Sequence, residues 1–390
     1  MKILFMADVK PDPNSGAAGT EIHTINALRQ LGCKVDEIWS NDLSHKIRHG
    51  NLHYLLELPI SYRNEMLRKL NLHQYDVIHA NQPHGFLAAK EIKRNHDDVI
   101  FVHRSHGLEL RVKRDLAIWH DKFDWESRSV FRRLASTIME HILDRNSRGI
   151  AKYADGHIVS ATECKEYLVR ELGVSADNVA IIPQAPPRIF IHGQIKSVDP
   201  ERLKKLLYVG QFAFFKAPMI LADVFNNLAK RRDDIELTWV CSKKHHDEAR
   251  MLLEPSVRSR VQFLDWMTQD ELRNVYDTHG IFLFPSFFEG FGKVFLEAMS
   301  RGLCVIAADN GGMKDNIDHN INGIKVPTGD VKAMTAACIE LLNDTDMASE
   351  ISRNAIKASR EYSWERVAKD TLSFYEALLS LKRISGNPRW

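Results

Sequence analysis

The sequence predicts an α/β protein made of two doubly wound parallel-sheet domains. The chain has 390 residues, more than one hydrophobic core normally supports, so two domains are expected. Short apolar runs alternate with segments of helical periodicity, which is the pattern of βαβ units around a parallel sheet. This alternation starts at the N-terminus and starts again after the proline-containing segment PQAPPRIF.

The first half of the chain contains a series of short strand-like runs. In order they are KILFMADV, CKVDEIWS, YDVIHANQP, DVIFVHRSHG, ADGHIVSAT and VAIIPQAPP. Between the first two lies GTEIHTINALRQLG, an amphipathic helix that Gly32 ends. We place the end of this domain at Ile195, so the first domain is predicted to span residues 1–195.

The second half repeats the pattern and predicts a second domain over residues 196–362. Its strand-like runs are LKKLLYVGQF, IELTWVCS, RVQFLDW, HGIFLFPS, LCVIAADN and NGIKVP. Residues 363–390 begin with SWERVAKDTLSFYEALLSLKR, a helix expected to pack back on the first domain. Ligands of such sheets bind beyond the carboxyl ends of the strands, so we expect the site in the cleft between the domains.

Composition and charge favour an ordinary cytoplasmic protein. A net charge of +2, from 53 basic and 51 acidic residues, gives no global attraction to nucleic acid. No apolar run is long enough to span a membrane, and the N-terminus lacks a signal peptide's apolar core. The cysteines are scattered without a CxxC pair, which argues against a disulfide framework or zinc site. They are Cys33, Cys164, Cys241, Cys304 and Cys338.

Two glutamates, Glu289 and Glu297, bracket a glycine-rich turn in FPSFFEGFGKVFLEAMSRG. The turn follows a predicted strand and precedes a predicted helix, whose first amides would favour an anion. Gly290 and Gly292 would let a ligand approach the backbone closely. Glu297 could accept hydrogen bonds from ribose hydroxyls. The alternative interpretation is a glycine turn flanked by two solvated acids.

Other polar and glycine residues also follow predicted strands. Gly210 ends the strand LLYV, and Lys216 stands six residues later. Gly311-Gly312 follow LCVIAADN, and DPNSGAAGTE forms a glycine loop, Gly16 to Gly19, that enters a helix. Asp8 and Asn81 also follow strands. Neither domain's first strand leads into GxGxxG, so a dinucleotide-dependent oxidoreductase is disfavoured.

Together these motifs resemble the retaining glycosyltransferases of the GT-B fold, specifically glycosyltransferase family 4. The resemblance covers nearly the whole chain and also includes YDVIHANQP, HRSHGLE, ADGHIVSATE and the closing helix. It implies two Rossmann-like domains facing across a deep cleft. It also implies transfer of a sugar from a nucleotide-diphosphate sugar with retained anomeric configuration.

The resemblance implies three catalytic residues and a donor-binding set. His106 would lie beside the donor sugar, Glu289 would face that sugar, and Lys216 would neutralise the diphosphate leaving group. Considered alone, a histidine that follows a strand, as His106 does, is more often structural, and the alternative for Lys216 is an ordinary surface lysine at a helix start. The implied donor-binding residues are Gly16, Gly19, Gly210, Gln211, Gly290, Phe291, Gly292, Lys293, Val294 and Glu297.

The roles within this donor-binding set differ. Glu297 would hold the ribose, the amides of residues 291–294 would meet the sugar and diphosphate, and the loop from Gly16 to Gly19 would close over the diphosphate. Fixed donors and a lysine can stabilise the leaving group without a metal, so we expect no metal and no cofactor. Retention would come from front-face attack, with the leaving phosphate taking the acceptor's proton.

The chain departs from the family pattern at three places. The family usually has an arginine directly after VG, where this chain has Gln211, which brings no charge; Lys293 and Arg188 are candidates to compensate. PQAPP replaces the usual PNGVD, and GGMKD replaces GGxxE. A catalytically weak or inactive nucleotide-sugar-binding protein therefore stays the alternative, and a nucleotide-sugar epimerase needing no acceptor is another.

The acceptor is expected to be a saccharide, a lipid-linked molecule or a small molecule, as in cell-surface polysaccharide or glycoconjugate biosynthesis. The segment from Arg104 to Lys152 mixes arginines with aromatic residues, namely Trp119, Phe123, Trp125 and Phe131. It could be the acceptor-binding face, a surface resting on an anionic membrane, or helices packed on the first sheet with a solvated charged side. Peripheral association with the inner membrane face is therefore one expectation, and nucleic-acid binding is not.

Overall fold

The computed structural model describes residues 1–123, 130–195 and 198–386 of the chain, and side chains outside 124–136, 196–197 and 385–390. Each strand in these ranges falls within one of the predicted runs. The strands are β1 Lys2–Met6, β2 Lys34–Ile38, β3 Val77–Asn81, β4 Ile100–Arg104, β5 Gly156–Val159, β6 Val179–Ile181, β7 Lys205–Val209, β8 Glu236–Val240, β9 Val261–Leu264, β10 Ile281–Phe284, β11 Cys304–Ala308 and β12 Ile324–Val326.

Helices connect these strands as the alternating pattern predicts. They are α1 Gly16–Gln30, α2 Gly50–Leu52, α3 Leu58–Leu70, α4 Phe86–Asn95, α5 Glu109–Lys122, α6 Val130–Tyr153, α7 Thr162–Leu172, α8 Arg188–Ile191, α9 Pro200–Leu203, α10 Pro218–Ala229, α11 His246–Met251, α12 Gln269–Thr278, α13 Val294–Ser300, α14 Gly311–Asn316, α15 Val331–Asn343, α16 Thr345–Ser359 and α17 Trp364–Gly386. A π-helical turn, His53–Glu57, leads into α3, and a 3₁₀ turn, Phe214–Lys216, leads towards α10. Among the described residues, no helix is both long and apolar enough to cross a membrane.

The strands form two parallel six-stranded sheets. Their orders are β2-β1-β3-β4-β5-β6 and β12-β11-β10-β7-β8-β9. In the first sheet the winding reverses between β1 and β3, and in the second between β7 and β10. In open α/β sheets, ligands bind beyond the carboxyl ends of strands at such reversals. The loops after β1, β3, β7 and β10 are therefore the places to look for a site.

The first compact unit comprises residues Met1–Gln184 together with the closing helix α17. The helix packs against β5 at Gly156, which has no side chain. Leu378 of the helix fills the space there, because its Cδ1 lies 2.4 Å from where a Cβ on Gly156 would be. Tyr375 of the same helix is buried with its hydroxyl 2.5 Å from Nδ1 of His79 on β3. The closing helix is thus part of the first unit's core.

The second compact unit is Ala185–Ser363, so it begins before the predicted boundary at Ile195. Arg301, which follows α13 and is 2% exposed, explains where this unit starts. Its guanidinium donates to the carbonyl oxygens of His192 and Gln194, both at 3.0 Å, and forms an ion pair with Asp277. The irregular segment before β7 is therefore tied to the second sheet's helices.

Candidate active site

The structure brings Lys216 and Glu289 into contact at the winding reversal of the second sheet. Lys216 ends the turn after β7, and Glu289 follows β10, the strand paired with β7. Lys216 Nζ forms an ion pair with Glu289 Oε1, and the two side chains are only 13% and 8% exposed. Ser286 Oγ donates to the same carboxylate oxygen at 2.8 Å. A cation and a carboxylate are thus held out of water at the expected ligand position.

The left-handed backbone at Ala217 explains how Lys216 reaches this position. Ala217 has φ 52° and ψ 53°, a conformation that residues other than glycine rarely adopt, and it turns the chain from the 3₁₀ turn into α10. The ammonium of Lys216 also lies 5.1 Å from the centre of the Phe284 ring. The ring and the carboxylate both hold the cation.

The loop that carries Glu289 rests directly on the backbone of Gly311 and Gly312. A Cβ on Gly311 would lie 2.2 Å from the carbonyl oxygen of Glu289, and one on Gly312 would lie 2.2 Å from that of Phe291. Asn310 Nδ2 also donates to the carbonyl oxygen of Ser286 at 2.8 Å. The NGG motif therefore fixes the position of the acidic loop by close backbone contact.

The glycine-rich turn between the two acids leads into α13. Gly292 has φ +85°, a region that favours glycine, and a Cβ there would meet the Phe284 ring at 2.7 Å. The first turn closes with the hydrogen bond from Phe295 N to Gly292 O at 3.0 Å. The amides of Phe291, Gly292, Lys293 and Val294 thus precede the first helical hydrogen bond, and the buried Gly290 completes the turn.

Glu297 is a buried acid on α13, 5% exposed. The hydroxyl of Tyr276 donates to its Oε2 at 3.2 Å. Burial raises the pKa of Glu297, while the charge of Lys293 and the Tyr276 hydrogen bond oppose the shift. Burial conversely lowers the pKa of Lys293, and Glu297 opposes that shift. The second acid of the motif is therefore an interior group, which excludes the interpretation of two solvated acids.

Gly210 and Gln211 lie at the end of β7. Gly210 N donates to Val240 O at 3.1 Å, and a Cβ on Gly210 would lie 2.5 Å from the Tyr208 hydroxyl oxygen. The side chain of Gln211 is exposed, as is that of Arg188 at the start of α8. Lys216, one of the three cations considered for the leaving group, forms an ion pair with Glu289.

Gly16 to Gly19 form the first turn of α1, so the prediction of a glycine loop at these residues was wrong. The side chain of Ser15 caps the helix, because its Oγ accepts a hydrogen bond from Ala18 N at 3.0 Å. A capped first turn satisfies an amide that a loop would leave to solvent or ligand.

His106 lies in the first unit, after β4, and contacts a buried acid that sequence reasoning missed. Its Nε2 is 2.6 Å from Oε1 of Glu21, whose side chain is fully buried on α1. Gln184 Nε2 lies 3.4 Å from His106 Nδ1. Burial raises the pKa of Glu21, but the charges of Arg104 and His106 and the close contact with the His106 ring outweigh it and lower the pKa to about 2. Glu21 is thus a fixed anion that orients the imidazole.

A signal for Glu21 was present in the sequence. It stands in GTEIHTINAL on the helix face that carries Thr20, Thr24 and Ile25, all of which are buried. An acid on the buried face of an amphipathic helix needs a partner. Arg104 at the end of β4 is that partner by charge, and its side chain is also fully buried.

A cavity of about 490 Å³ opens beside His106 in the first unit. Its polar wall includes Asp8 after β1, Gln82 after β3, Glu109 at the start of α5 and Glu140 on α6. No lysine or arginine is found among its lining residues in the described part of the chain. Burial, and then the charge of Asp8, raise the pKa of Glu109 to about 7. The cavity is therefore acidic.

Gln82 marks a constrained point in this cavity's wall. It has φ 60° and ψ 167° although it is not a glycine. Within the described residues its buried Oε1 has no hydrogen-bond partner. Backbone strain and an unsatisfied buried polar atom together are typical of a ligand-binding position.

The segment from Arg104 to Lys152 forms α5 and α6 where it is described; Trp125 and the side chain of Phe131 lie outside the described residues. Cations of α5 are paired with acids, since Arg111 contacts Glu163 and Lys113 contacts Glu140 at 2.7 Å. Trp119 stacks on Phe123 with ring centres 6.5 Å apart. The sequence allows three interpretations of the segment, namely an acceptor-binding face, a membrane-binding surface, or packed helices with a solvated charged side. For α5, these ion pairs favour packed helices with a solvated charged side.

Two family models match the chain. The model described as Glycosyltransferase Family 4 matches residues 16–185, and the model described as Glycosyl transferases group 1 matches residues 203–344. Between them they span most of the two compact units. The chain belongs to glycosyltransferase family 4, group 1, and has the GT-B fold.

Particular relatives and solved structures agree with this class. The D-inositol 3-phosphate glycosyltransferase of Corynebacterium efficiens is 24% identical over 334 residues, covering 81% of this chain and 74% of that protein. The sucrose-phosphate synthase of Thermosynechococcus elongatus has a TM-score of 0.76 at 20% identity, over 98% of this chain and all of that one (100%). HepE of Anabaena, solved in complex with UDP, has a TM-score of 0.65 at 17% identity, over 97% of this chain and 100% of that one.

Proposed function

We propose that this glycosyltransferase moves a sugar from a nucleotide-diphosphate sugar to an acceptor hydroxyl with retention of configuration, without a metal ion. The observation that carries the proposal is the Lys216–Glu289 contact at the reversal between β7 and β10. A buried cation beside a carboxylate suits a reaction in which a diphosphate gains negative charge while a sugar carbon gains positive charge. HepE, which shares the fold, was solved with UDP and with UDP-glucose.

Each donor-side residue then has a physical role. Lys216 neutralises the leaving diphosphate, and Glu289 orients the sugar and stabilises its positive carbon. The amides of residues 291–294 donate to the phosphate oxygens from the start of α13. Glu297 accepts hydrogen bonds from the ribose hydroxyls. Gln211 adds only neutral hydrogen bonds, so Lys216 supplies the charge that the family's arginine would share.

Retention follows from attack on the face that the leaving group vacates. The bond between the sugar's anomeric carbon and the diphosphate oxygen breaks, and the acceptor oxygen forms a bond to that carbon on the same face. The acceptor's proton passes to the departing diphosphate oxygen. His106, oriented by Glu21 at 2.6 Å, hydrogen-bonds the donor sugar in this proposal. Gly16 and Gly19, in the first turn of α1, are kept in this proposal as residues that bind the diphosphate.

The acidic cavity beside His106 is proposed to hold the acceptor. Asp8, Glu109 and Glu140 line it together with the histidines His84 and His106, and no lysine or arginine is found among its described lining residues. Carboxylates accept hydrogen bonds from hydroxyl and ammonium groups but repel phosphate. We therefore favour an uncharged or amine-bearing polyol, whether free, part of a saccharide or lipid-linked. An inositol phosphate, the acceptor class in the name of the Corynebacterium relative, fits this wall less well.

A donor screen followed by product analysis tests the proposed reaction. The protein is melted with UDP, GDP, ADP and their common sugars, since a ligand at a hundred times its Kd adds about 2.7 kcal/mol. Glu297→Ala should lose the response to the matching donor. The product's anomeric configuration, read by NMR, should equal the donor's, and activity should survive chelation by EDTA.

The outcomes separate the alternatives. An inverted product would refute retention, and loss of activity in EDTA that a divalent ion restores would refute metal independence. A donor that binds but is neither transferred nor hydrolysed would favour the nucleotide-sugar-binding alternative, whereas conversion without an acceptor would indicate an epimerase. The proposal includes a cytoplasmic enzyme that associates peripherally with the inner membrane face.

A further inference from the structure

A second cavity in the first unit, about 580 Å³ in volume, has the opposite charge from the acidic one. It lies between the π-helical turn His53–Glu57, the start of α3, and helices α4 and α6. Its charged lining residues are all basic, namely Lys90, Arg145, Arg148 and Lys152. No carboxylate lines it within the described part of the chain. We call this cavity the basic groove.

The floor and one rim of the basic groove are apolar. Phe86 and Tyr153 form part of the floor, and Leu56 and Ile60 stand on the rim with 39% and 55% of their surface exposed. Large apolar side chains exposed together beside a cavity are unusual on a protein surface and mark binding sites. The groove therefore offers an apolar slot as well as positive charge.

Three of the groove's cations are held over its aromatic rings. The ammonium groups of Lys90 and Lys152 lie 5.8 and 5.7 Å from the centre of the Tyr153 ring. The guanidinium of Arg145 lies 5.9 Å from the centre of the Phe86 ring. Such contacts position a cation without neutralising it. Arg148 differs, because it pairs with Asp144 at 2.9 Å.

The aromatic floor depends on a glycine inside a helix. A Cβ on Gly149, within α6, would lie 2.8 Å from the Phe86 ring. Glycine weakens a helix interior, so its presence here lets the ring sit close against α6. The ring in turn supports Arg145. The groove's shape is thus set by the packed core, and its cations project from that fixed base.

We propose that the basic groove seats this protein on a bilayer containing anionic lipids. Leu56 and Ile60 enter the acyl region at the rim, and Lys90, Arg145 and Lys152 meet the lipid phosphates. Apolar side chains flanked by basic ones are the combination that binds anionic membrane surfaces. A free phosphate would use the cations but leave the apolar rim in water. A second copy docking by the same face would set cations against cations.

The inference rests on the peripheral membrane association included in the proposed function and names the surface for it. Vesicle binding needs neither donor nor acceptor, so it can fail while the proposed sugar transfer stands. The basic groove adjoins the acidic cavity, because Leu55 lines both. Membrane seating through the basic groove would hold the acidic cavity next to the lipid surface, where a lipid-linked acceptor would be found.

Vesicle flotation of the full chain tests the inference. The vesicles are phosphatidylcholine alone or equal parts phosphatidylcholine and phosphatidylglycerol. The wild type should float only with the anionic vesicles. Each basic residue strengthens such binding about fivefold, so the triple variant Lys90→Ala, Arg145→Ala, Lys152→Ala should bind on the order of a hundredfold more weakly. Ile60→Ser should weaken binding about tenfold.

Matched controls separate the groove from overall charge and hydrophobicity. Lys244→Ala, Lys332→Ala, Lys357→Ala removes three exposed lysines of the second unit, and Ile321→Ser changes an isoleucine that is 57% exposed. Both controls should float like the wild type. Melting curves check that every variant is folded, and inorganic phosphate should compete only at concentrations that screen all charge.

Several outcomes would overturn the inference. They are equal flotation of the wild type and the groove triple variant, equal losses in the groove and control triple variants, or flotation of the wild type on phosphatidylcholine alone. Displacement by low concentrations of inorganic phosphate would instead assign the groove to a soluble anion and also refute membrane seating.

Discussion

Replacing Gly312 by alanine is the sharpest test of how the donor side of the site is built. The new Cβ would stand 2.2 Å from the carbonyl oxygen of Phe291 and 2.8 Å from its Cα. Both neighbours are atoms of the backbone, so no side-chain rotation can relieve the contact. The loop between the two acids must move away from α14, and it carries the amides assigned to the phosphates.

The magnitude follows from the geometry. Overpacking of this kind costs about 1–3 kcal/mol. At about 2 °C to 4 °C per kcal/mol for a unit of this size, the melting temperature of the second unit should fall by roughly 2 °C to 12 °C. A displacement of about 1 Å in positioning groups lowers kcat/KM on the order of a hundredfold. Calorimetry and initial-rate kinetics with the matching nucleotide sugar measure both effects.

Gly50→Ala is the matched control, because nothing lies within 4 Å of a Cβ built on Gly50. It should leave both the melting temperature and kcat/KM close to wild type. If Gly312→Ala behaves like this control, the close contact between Gly312 and Phe291 does not position the loop, and the account of the NGG motif is refuted.

Further changes test the buried charges. Lys216→Met leaves Glu289 buried without its cation, so it should lower the free energy of unfolding by about 3–5 kcal/mol and lower kcat by at least about a hundredfold. The control is Lys230→Met, which breaks an exposed ion pair with Glu254 whose side chains are 56% and 42% exposed. This control should lower the free energy of unfolding by less than about 1 kcal/mol. The pKa of Glu21 is about 2 in the folded protein, against an ordinary value of 4.5. The ionised carboxylate therefore stabilises the fold fully above pH 4.5. Glu21→Gln should lower the free energy of unfolding at neutral pH by about 3 kcal/mol. The pKa of Glu109 in the folded protein is about 7. Its protonated side chain therefore stabilises the fold at low pH, and this contribution is lost as the pH rises through 7. Glu109→Gln should raise the free energy of unfolding in mildly alkaline buffer.

Denaturant titrations over a pH series decide these cases. If Lys216→Met and Lys230→Met lower the free energy of unfolding equally, the Lys216–Glu289 pair is solvated. For Glu21→Gln, the acid-induced loss between about pH 4.5 and 2 should shrink; an unchanged pH profile contradicts the assigned partners Arg104 and His106. For Glu109→Gln, a stability gain that is the same in acid and alkali would mean that the carboxyl does not titrate as described.

The strands could be predicted from the sequence because the residues of each strand identify it without knowledge of distant contacts. Runs such as ILFM in β1 and IFLF in β10 are buried along their whole length, so apolar character alone marks them. The turn after β10 was also predictable, because Gly290 and Gly292 are placed between two acids in a strand–turn–helix context.

The contacts that give these residues their environment could not be predicted in the same way. Lys216 and Glu289 meet across 73 positions, and this depends on β10 pairing with β7, not with its sequence neighbour β9. Glu21 was missed because its partners come from β4 and from the loop after it, and helical periodicity carries no information about them. The glycine loop at Gly16 was mispredicted because Ser15 was not considered as a helix cap.

The two units hold their polar groups by different means, and this decides which positions can vary. Beside Glu289 the constraint is backbone against backbone, so a side chain at Gly311 or Gly312 displaces the acidic loop whatever the substrate. The acidic cavity of the first unit is lined by side chains such as Glu109 and Glu140, which can change without moving the sheet. Substitution of cavity residues should therefore alter acceptor choice while leaving donor binding intact, whereas substitution at the glycine pair should impair donor binding for every acceptor.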